Sequence, residues 1–398
     1  MEKFDLKGFK QKLLLAPDFK SYVFGLFTPW NVIAGIILLF GFYAMVYRLI
    51  FGLGPATNLN NDYPWGLWIA FDILAGIALA APGLTLGTVV YLFRLKDYKS
   101  FARPAILSSL LGYVFAVIAL LFDLGRYYRV FYPIVWSWGL ESVLFLVGWH
   151  FFLYIIICVV EWFPSFFEWL GQERLRNFFS SLGIWATAFG VIIAGGHQSA
   201  LGALFLIAPT KLHPLWYSPL LPLFFLITAV LGGMAVVVIE SAITHRYFKH
   251  QLKRFDQKAF DKKTLGLGKA LAVVLTLYLL LRGLDLFHQE KLHYINLSST
   301  YGVLFVLEHL LFGVIPLILL LWAVKEEKPF WVRILSFWIA LGIIVNRLIV
   351  CLIAYNWYIP WSQKYYPSWM EVALSLSMVV LIILSTRFMI RRLPILSD

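Results

Sequence analysis

Cysteine and charge are what this chain is short of. Its 398 residues include two cysteines, Cys158 and Cys351, both inside apolar runs. That leaves no thiolate set for an iron-sulfur cluster and no framework of structural disulfides. Charged residues make up 14%, too few for the solvated surface of a soluble domain of this length. Residues 1–20 carry lysines among apolar residues, with no small-residue cleavage site ahead of the first long apolar run, so no cleavable leader is expected. Apolar residues reach 61% and aromatics 18%, and the mean hydropathy is +0.81. No globular fold hides that much apolar surface from water. The expected class is an all-α, polytopic integral membrane protein. A net charge of +12 would point to nucleic acid in a soluble protein, but here Lys and Arg concentrate in the short loops, where they set orientation. Membrane lipid is expected around the chain, and no nucleic acid.

A spanning helix needs roughly 20 apolar residues. Ten segments qualify, near 31–52, 65–94, 102–129, 136–162, 178–207, 217–243, 267–288, 299–323, 331–356 and 367–390. An even number puts both termini on one face. Placing that face in the cytoplasm assigns 25 of the 33 Lys and Arg to cytoplasmic segments, eight of them between Arg246 and Lys269. The expectation is therefore a multi-pass protein of the cytoplasmic membrane with both termini inside. Tyr63, Trp65, Trp136, Trp138, Tyr365 and Tyr366 mark the starts of the outer loops, as an interfacial aromatic belt does.

Asn61 to Arg126 is the stretch of most interest. Two spans in series, joined by the basic loop RLKDYKSFAR, each carry one carboxylate, Asp72 and Asp123, toward the end away from that loop. A carboxylate at that depth costs several kcal/mol unless paired or protonated. In the same outer half fall Arg126, Glu141, His197, Arg282 with Asp285, Arg347 and Glu371. His150, Glu308 and His309 lie nearer the middle, and Glu161 and Glu240 near the inner ends of their helices. Several bland readings stay open beside the functional ones. Asp123 with Arg126, and Arg282 with Asp285, have the three-residue spacing of self-neutralising helix neighbours. Glu161 and Glu240 are placed to snorkel. A lone histidine such as His150 is compatible with hydrogen-bonded packing, whereas His197, in AGGHQSALG, has glycines that open the helix surface beside it.

Similar fragments recur four helices apart: LFDLGR and RGLDLF, SVLFLVGWH and GVLFVLEH, FGVII and LGIIV. This suggests a parallel repeat of two four-helix bundles. The division read from it is a cytoplasmic amphiphilic segment (1–30), a first spanning helix with its outer loop (31–64), a first bundle with the candidate site (65–207), a second bundle (208–356), and a last spanning helix with its tail (357–398).

Four functions can use such a pattern. A quinone-reactive subunit needs aromatic walls, donors to ring carbonyls and carboxylates near one surface. A secondary transporter would have broken helices at matching positions of both halves, and Pro82-Gly83 has no counterpart in the sixth helix. A membrane anchor without a redox site has no use for so many intramembrane acids. A b-type cytochrome would need two histidines at matched depth on facing helices, which His150 and His309 meet only loosely.

The segments NDYPWGLWIAFD, RPAILSSLLGY, DLGRYYR, HQSALGAL with HPLWYSPLLPLF, and RLPIL resemble the NrfD/polysulfide-reductase superfamily. The likeness is to its ten-helix branch, which includes membrane subunits of uptake nickel-iron hydrogenases and of sulfate-reducer respiratory complexes, and it runs from about Arg48 to Leu396. The resemblance implies an integral subunit that binds menaquinone or ubiquinone near the outer surface, with no haem and no iron-sulfur cluster of its own. Its implied partner is an extracytoplasmic, ferredoxin-like, multi-cluster iron-sulfur subunit, with further hydrogenase, cytochrome or heterodisulfide-reductase-like subunits. Positions matching the family's motifs are Asp72, Asp123, Arg126, His197, Glu240, Arg282, Glu308, Arg347 and Glu371. One departure is that the branch carries an acid at the place of Leu146, where this chain has Glu141 five residues earlier. The resulting expectation is a quinone pocket enclosed by the second to fifth helices. Trp65 and Trp68 would be its walls, His197 and Asp72 its carbonyl contacts, and Asp123 held by Arg126 a proton relay. An inward path through Glu308 and His150 toward Glu161 or Glu240 completes it.

Overall fold

The computed structural model describes residues 12–248 and 256–396. Residues 1–11 of the amphiphilic segment, and 249–255 of the basic loop between Arg246 and Lys269, lie outside the described residues. Among those described, ten helices are long and apolar enough to cross a bilayer: α1 Pro29–Phe51, α2 Trp68–Val90, α3 Lys96–Asp123, α4 Val143–Trp169, α5 Glu173–Ile207, α6 Leu221–Phe248, α7 Gln257–His288, α8 Thr300–Lys325, α9 Pro329–Ile353 and α10 Trp369–Arg392. The chain is an all-α polytopic membrane protein. A short helix, Phe19–Leu26, precedes α1, and the β-structure seen among the described residues is an isolated bridge between Leu212 and Tyr355.

The fourth span runs on to Trp169 and the seventh starts at Gln257, ten residues ahead of expectation, and two further boundaries differ for one reason. The third span stops at Asp123, because Leu124 turns extended (ψ 122°), rather than running on to residue 129. The fourth begins at Val143, where the Ser142 hydroxyl accepts the Phe145 N–H at 3.4 Å, rather than at 136. The aromatic segment between them forms two separate short turns, Tyr127–Arg129 and Tyr132–Val135, the second with Pro133 at its start, where a proline has no helical donor to lose.

Helices α2, α3, α4 and α5 pack in a closed ring, each against the next and α5 back on α2; α6 to α9 do the same. The rings meet where α2 lies against α6 and α9, and α5 against α6. Helix α10 packs on α1 and α3. Its trailing RLPIL tail buries Leu393, Ile395 and Leu396 with Leu107, Leu111 and Phe248.

Helix α8 has a π-helical segment at Leu310–Val314 and α9 one at Ile349–Ile353, but α2 is interrupted more than once. It opens with a π-helical turn, Trp68–Ala75, and breaks at Ala80-Ala81 before restarting at Pro82. Proline has no N–H and its ring crowds the carbonyl four residues back, so the break frees backbone groups that a membrane protein must satisfy internally. The Gly83 N–H donates to Ser109 Oγ of α3 (2.8 Å), and Gln198 Nε2 of α5 donates to the Ile77 carbonyl (2.9 Å). Helix α6 comes against the break through Gly232 and Gly233. A Cβ at either would lie 2.8 Å from the Ala78 oxygen or 2.5 Å from the Ala81 oxygen.

Candidate functional site

Asp72 sits one turn into α2, on the π-helical segment, and is 6% exposed. Its Oδ2 accepts a hydrogen bond from Ser375 Oγ of α10 at 2.6 Å. The carboxylate borders a cavity of about 230 Å³ lined by α2, α3, α6, α9 and α10. Most of the wall is small or aliphatic: Ala75, Gly76 and Ala80 of α2 and Gly112 and Ala116 of α3, with Phe71 and Phe115 as its rings. Gly112 is needed for the close approach of α3, since a Cβ there would lie 2.5 Å from that of Ala80. Ser108 forms part of the wall beside Glu240 on α6, one oxygen of which is buried without a partner.

This placement corrects several expectations. The cavity is not enclosed by the second to fifth helices: α4 and α5 contribute nothing to it, while α6, α9 and α10 do. Trp68 is no wall. Its indole is 1% exposed, donates from Nε1 to the Glu371 carbonyl (3.1 Å) and packs with Ala119, Leu374 and Met378. Trp65 turns toward the loops, against Phe205 and Tyr355 at 5.8 and 6.1 Å between ring centroids.

Asp123 is not held by Arg126. Because α3 ends at Asp123, the helical three-residue geometry is lost, and Arg126 is exposed. Arg48 of α1 occupies that place instead, 2% exposed, donating to the Phe122 and Leu124 carbonyls at 2.8 and 2.6 Å. One oxygen of Asp123 is buried without a partner. Glu141 precedes the fourth helix rather than lying on it and is exposed.

His197 is fully buried behind α2, away from the cavity. Its Nε2 meets the Tyr113 hydroxyl, and Phe151 and Tyr154 wall the ring. His150 lies beside it, ring centroids 6.5 Å apart, and fills the space over Gly196. Glu161 accepts the Thr187 hydroxyl at 2.5 Å.

In the second ring the central charges have close partners, charged or neutral, while Arg347 Nε and one oxygen of Glu240 are buried without one. Arg282 pairs with Asp285 at 3.1 Å, both side chains at most 5% exposed, and Asp285 also accepts Ser218 Oγ at 2.7 Å. Glu308 accepts Trp216 Nε1 (2.8 Å) and Asn346 Nδ2 (2.5 Å). Arg347 lies 3.5 Å above the Phe225 ring and donates to Asn346 and Thr228. The partners of Glu308 are these, and His150 is not among them, so the expected Glu308–His150 step has no contact behind it. His309 packs on Phe305 within this second ring, while His150 lies in the first, beside His197. The spaces here are about 40 and 20 Å³. Glu371 caps α10, its carboxylate taking the Ser368 and Asn58 N–H groups (2.9 and 3.2 Å) and the Tyr365 hydroxyl.

The loops above this end are knit by His213 and Lys364. Burial brings Lys364 down to about 8, while its ammonium lies over the Tyr301 and Trp361 rings. Burial, helped by the charge of Lys364, brings His213 down to about 4, and its Nδ1 accepts the Leu215 N–H.

Sequence reasoning missed Ser109, Tyr113, Gln198 and Ser375. Gln198 stood in the quoted HQS motif and Ser109 in RPAILSSLLGY, but nothing in a hydroxyl or amide tells which freed backbone group it will meet.

The class these features define is a ten-helix membrane protein with a buried acid facing a cavity at the junction of two helix rings. The model for the polysulphide reductase family, NrfD, matches residues 55–359, and the chain belongs to this family. It is 43% identical to a protein of Nitratidesulfovibrio vulgaris over 94% of this chain and 96% of that one. It is 32% identical, over 92% of each, to the probable Ni/Fe-hydrogenase 2 b-type cytochrome subunit of Escherichia coli. The integral membrane subunit of menaquinone reductase from Nitratidesulfovibrio vulgaris is 24% identical over 93% of this chain and 92% of its own.

Proposed function

We propose that this chain is the quinone-reactive membrane subunit of a multi-subunit respiratory complex of the cytoplasmic membrane. It exchanges electrons between an iron-sulfur partner, docked on the extracytoplasmic loop face away from the termini, and menaquinone or ubiquinone in the bilayer. The observation that carries the reading is the Asp72 cavity. A space of about 150 Å³ holds a benzene ring; this one is about 230 Å³, mostly apolar, with a carboxylate at its edge. The name of the menaquinone reductase relative supports the same class of substrate.

A bound quinone supplies two carbonyl oxygens that take up or release protons as its ring gains or loses electrons. The chain's own groups do the rest. Asp72 exchanges a proton at its Oδ atoms with the nearer carbonyl, and Ser375 orients it. Phe71 and Phe115, with the small residues between them, give an apolar slot for the ring. Asp123, steadied by Arg48 on the chain ends around it, passes protons toward the loop face. Glu240, beside Ser108 of the cavity wall, replaces the Glu308–His150 route as the link toward the termini. His197, locked to Tyr113 behind the break in α2, stiffens the wall. An unbroken α6 opposite the broken α2 favours this reading over a transporter, in which both halves would break.

The test is Asp72→Asn in a purified complex. Quinone-linked electron transfer is expected to be lost while all subunits remain assembled. Normal turnover would remove Asp72, and with it this reading of the cavity.

A further inference from the structure

Helices α2 and α10 are joined by two hydrogen-bond rungs one turn apart. Trp68 Nε1 donates to the Glu371 carbonyl at 3.1 Å, and four residues along both helices Ser375 Oγ donates to Asp72 at 2.6 Å. Their first turns are tied as well. The Tyr365 hydroxyl accepts the Leu67 N–H, ahead of α2, at 2.9 Å and donates to the Glu371 carboxylate at the start of α10. Glu371 is 0% and Ser375 3% exposed. A carboxylate this deep needs donors only to be tolerated. What the arrangement adds is register: the acid's single neighbouring hydroxyl is placed by a chain of bonds that begins in the α9–α10 loop.

We propose that Ser375 is a positioning residue for Asp72, and that the Tyr365–Glu371 pair, through the shared register of α2 and α10, holds Ser375 in place. This rests on the quinone reading of the cavity. Ser375 aims Asp72 Oδ2 so that its other oxygen faces the cavity, and Tyr365 fixes where both helices start. Neither touches a bound ring. The Glu371 carboxylate acts here on the geometry of the acid one turn below.

The test compares Ser375→Ala, Ser375→Thr, Tyr365→Phe and Asp72→Asn in the assembled complex. Ser375→Ala and Tyr365→Phe should each lower quinone-linked kcat roughly 10- to 100-fold, the size of one lost hydrogen bond to a charged group, with quinone KM little changed. Ser375→Thr, which keeps the hydroxyl, should restore most of it. The double variant Ser375→Ala/Tyr365→Phe should be no slower than the slower single one, because both act through one unit. Independently of turnover, the infrared carboxyl band that disappears in Asp72→Asn should shift in Ser375→Ala and return in Ser375→Thr. A Thr variant as slow as Ala, an unmoved band, or fully additive singles would overturn the proposal while Asp72→Asn stays inactive. If Asp72→Asn itself turns over normally, the quinone reading falls instead. Should Ser375→Ala not assemble, the Thr and Tyr365 variants and their infrared bands decide.

Discussion

The two rings of helices contain the same kinds of residue at membrane depth and use them differently. In α6 to α9, the central charges meet complementary groups: Arg282 with Asp285, Glu308 with Trp216 and Asn346, Arg347 with Thr228, Asn346 and the Phe225 face, although Arg347 Nε and one oxygen of Glu240 are buried without a partner. Little room is left over. Around α2, the acid has one serine, and the space beside it is several times larger. An intramembrane charge is therefore not by itself a functional signal. The informative feature is a charge whose surroundings stop short of satisfying it and leave a shaped space.

Four measurements can break or sharpen that contrast, beginning with the largest effect. Arg282→Met should leave Asp285 buried and unpaired at a cost of about 3–5 kcal/mol, so the subunit should fail to accumulate, and Arg282→Met/Asp285→Leu should restore much of its level in the membrane. A double variant as poor as the single would mean the pair does more than neutralise itself. In the other ring, Gly76→Leu should assemble, since a Cβ there meets only the Phe71 carbonyl oxygen, at 3.4 Å. By filling the cavity it should slow quinone-linked turnover roughly 100-fold; unchanged kcat/KM would show the cavity is not the site. Glu308→Gln loses one acceptor in a satisfied cluster, costing about 1–3 kcal/mol in stability, and should leave quinone KM alone. A loss of turnover like that of Asp72→Asn would erase the distinction between the rings.

The smallest effect lies in the loops. His213 is held down to about 4 against an ordinary value of 6.5. The unfolded chain therefore binds the proton first, and stability is complete above about pH 6.5 and is lost as pH falls toward 4. The melting temperature of the complex should decline across that window, and His213→Phe, which keeps a ring against Tyr301, should flatten the decline.

Much of the fold was legible beforehand because spanning helices are written in composition: the ten apolar runs and the shared face of the termini follow from length and parity. The site was legible only in part. Asp72 could be singled out because an acid in an apolar run is costly wherever it points. Its company could not. The expectation joined Asp72, His197, Trp65 and Trp68 because they are near in sequence or fall in one predicted bundle. The π-turn at Trp68–Ala75 and the break before Pro82 set which way each side chain faces, putting Trp68 against α10 and Asp72 at the cavity edge. Helical spacing pairs Arg126 with Asp123, but the helix ends three residues too soon, and Arg48, 75 positions away, is beyond any local rule.

The amino-acid sequence alone determined that this chain lives in a bilayer, how many times it crosses, and which few ionisable groups it sinks there. Hydrophobic transfer is a sum over residues, and a sum needs no coordinates. The tertiary structure decided which of those groups are neutralised and which one faces open space. Pairing and cavity shape depend on the ångström-scale meeting of helices far apart in the chain, through the π-helical segment at Asp72, the break at Pro82 and the serine that α10 brings to the acid.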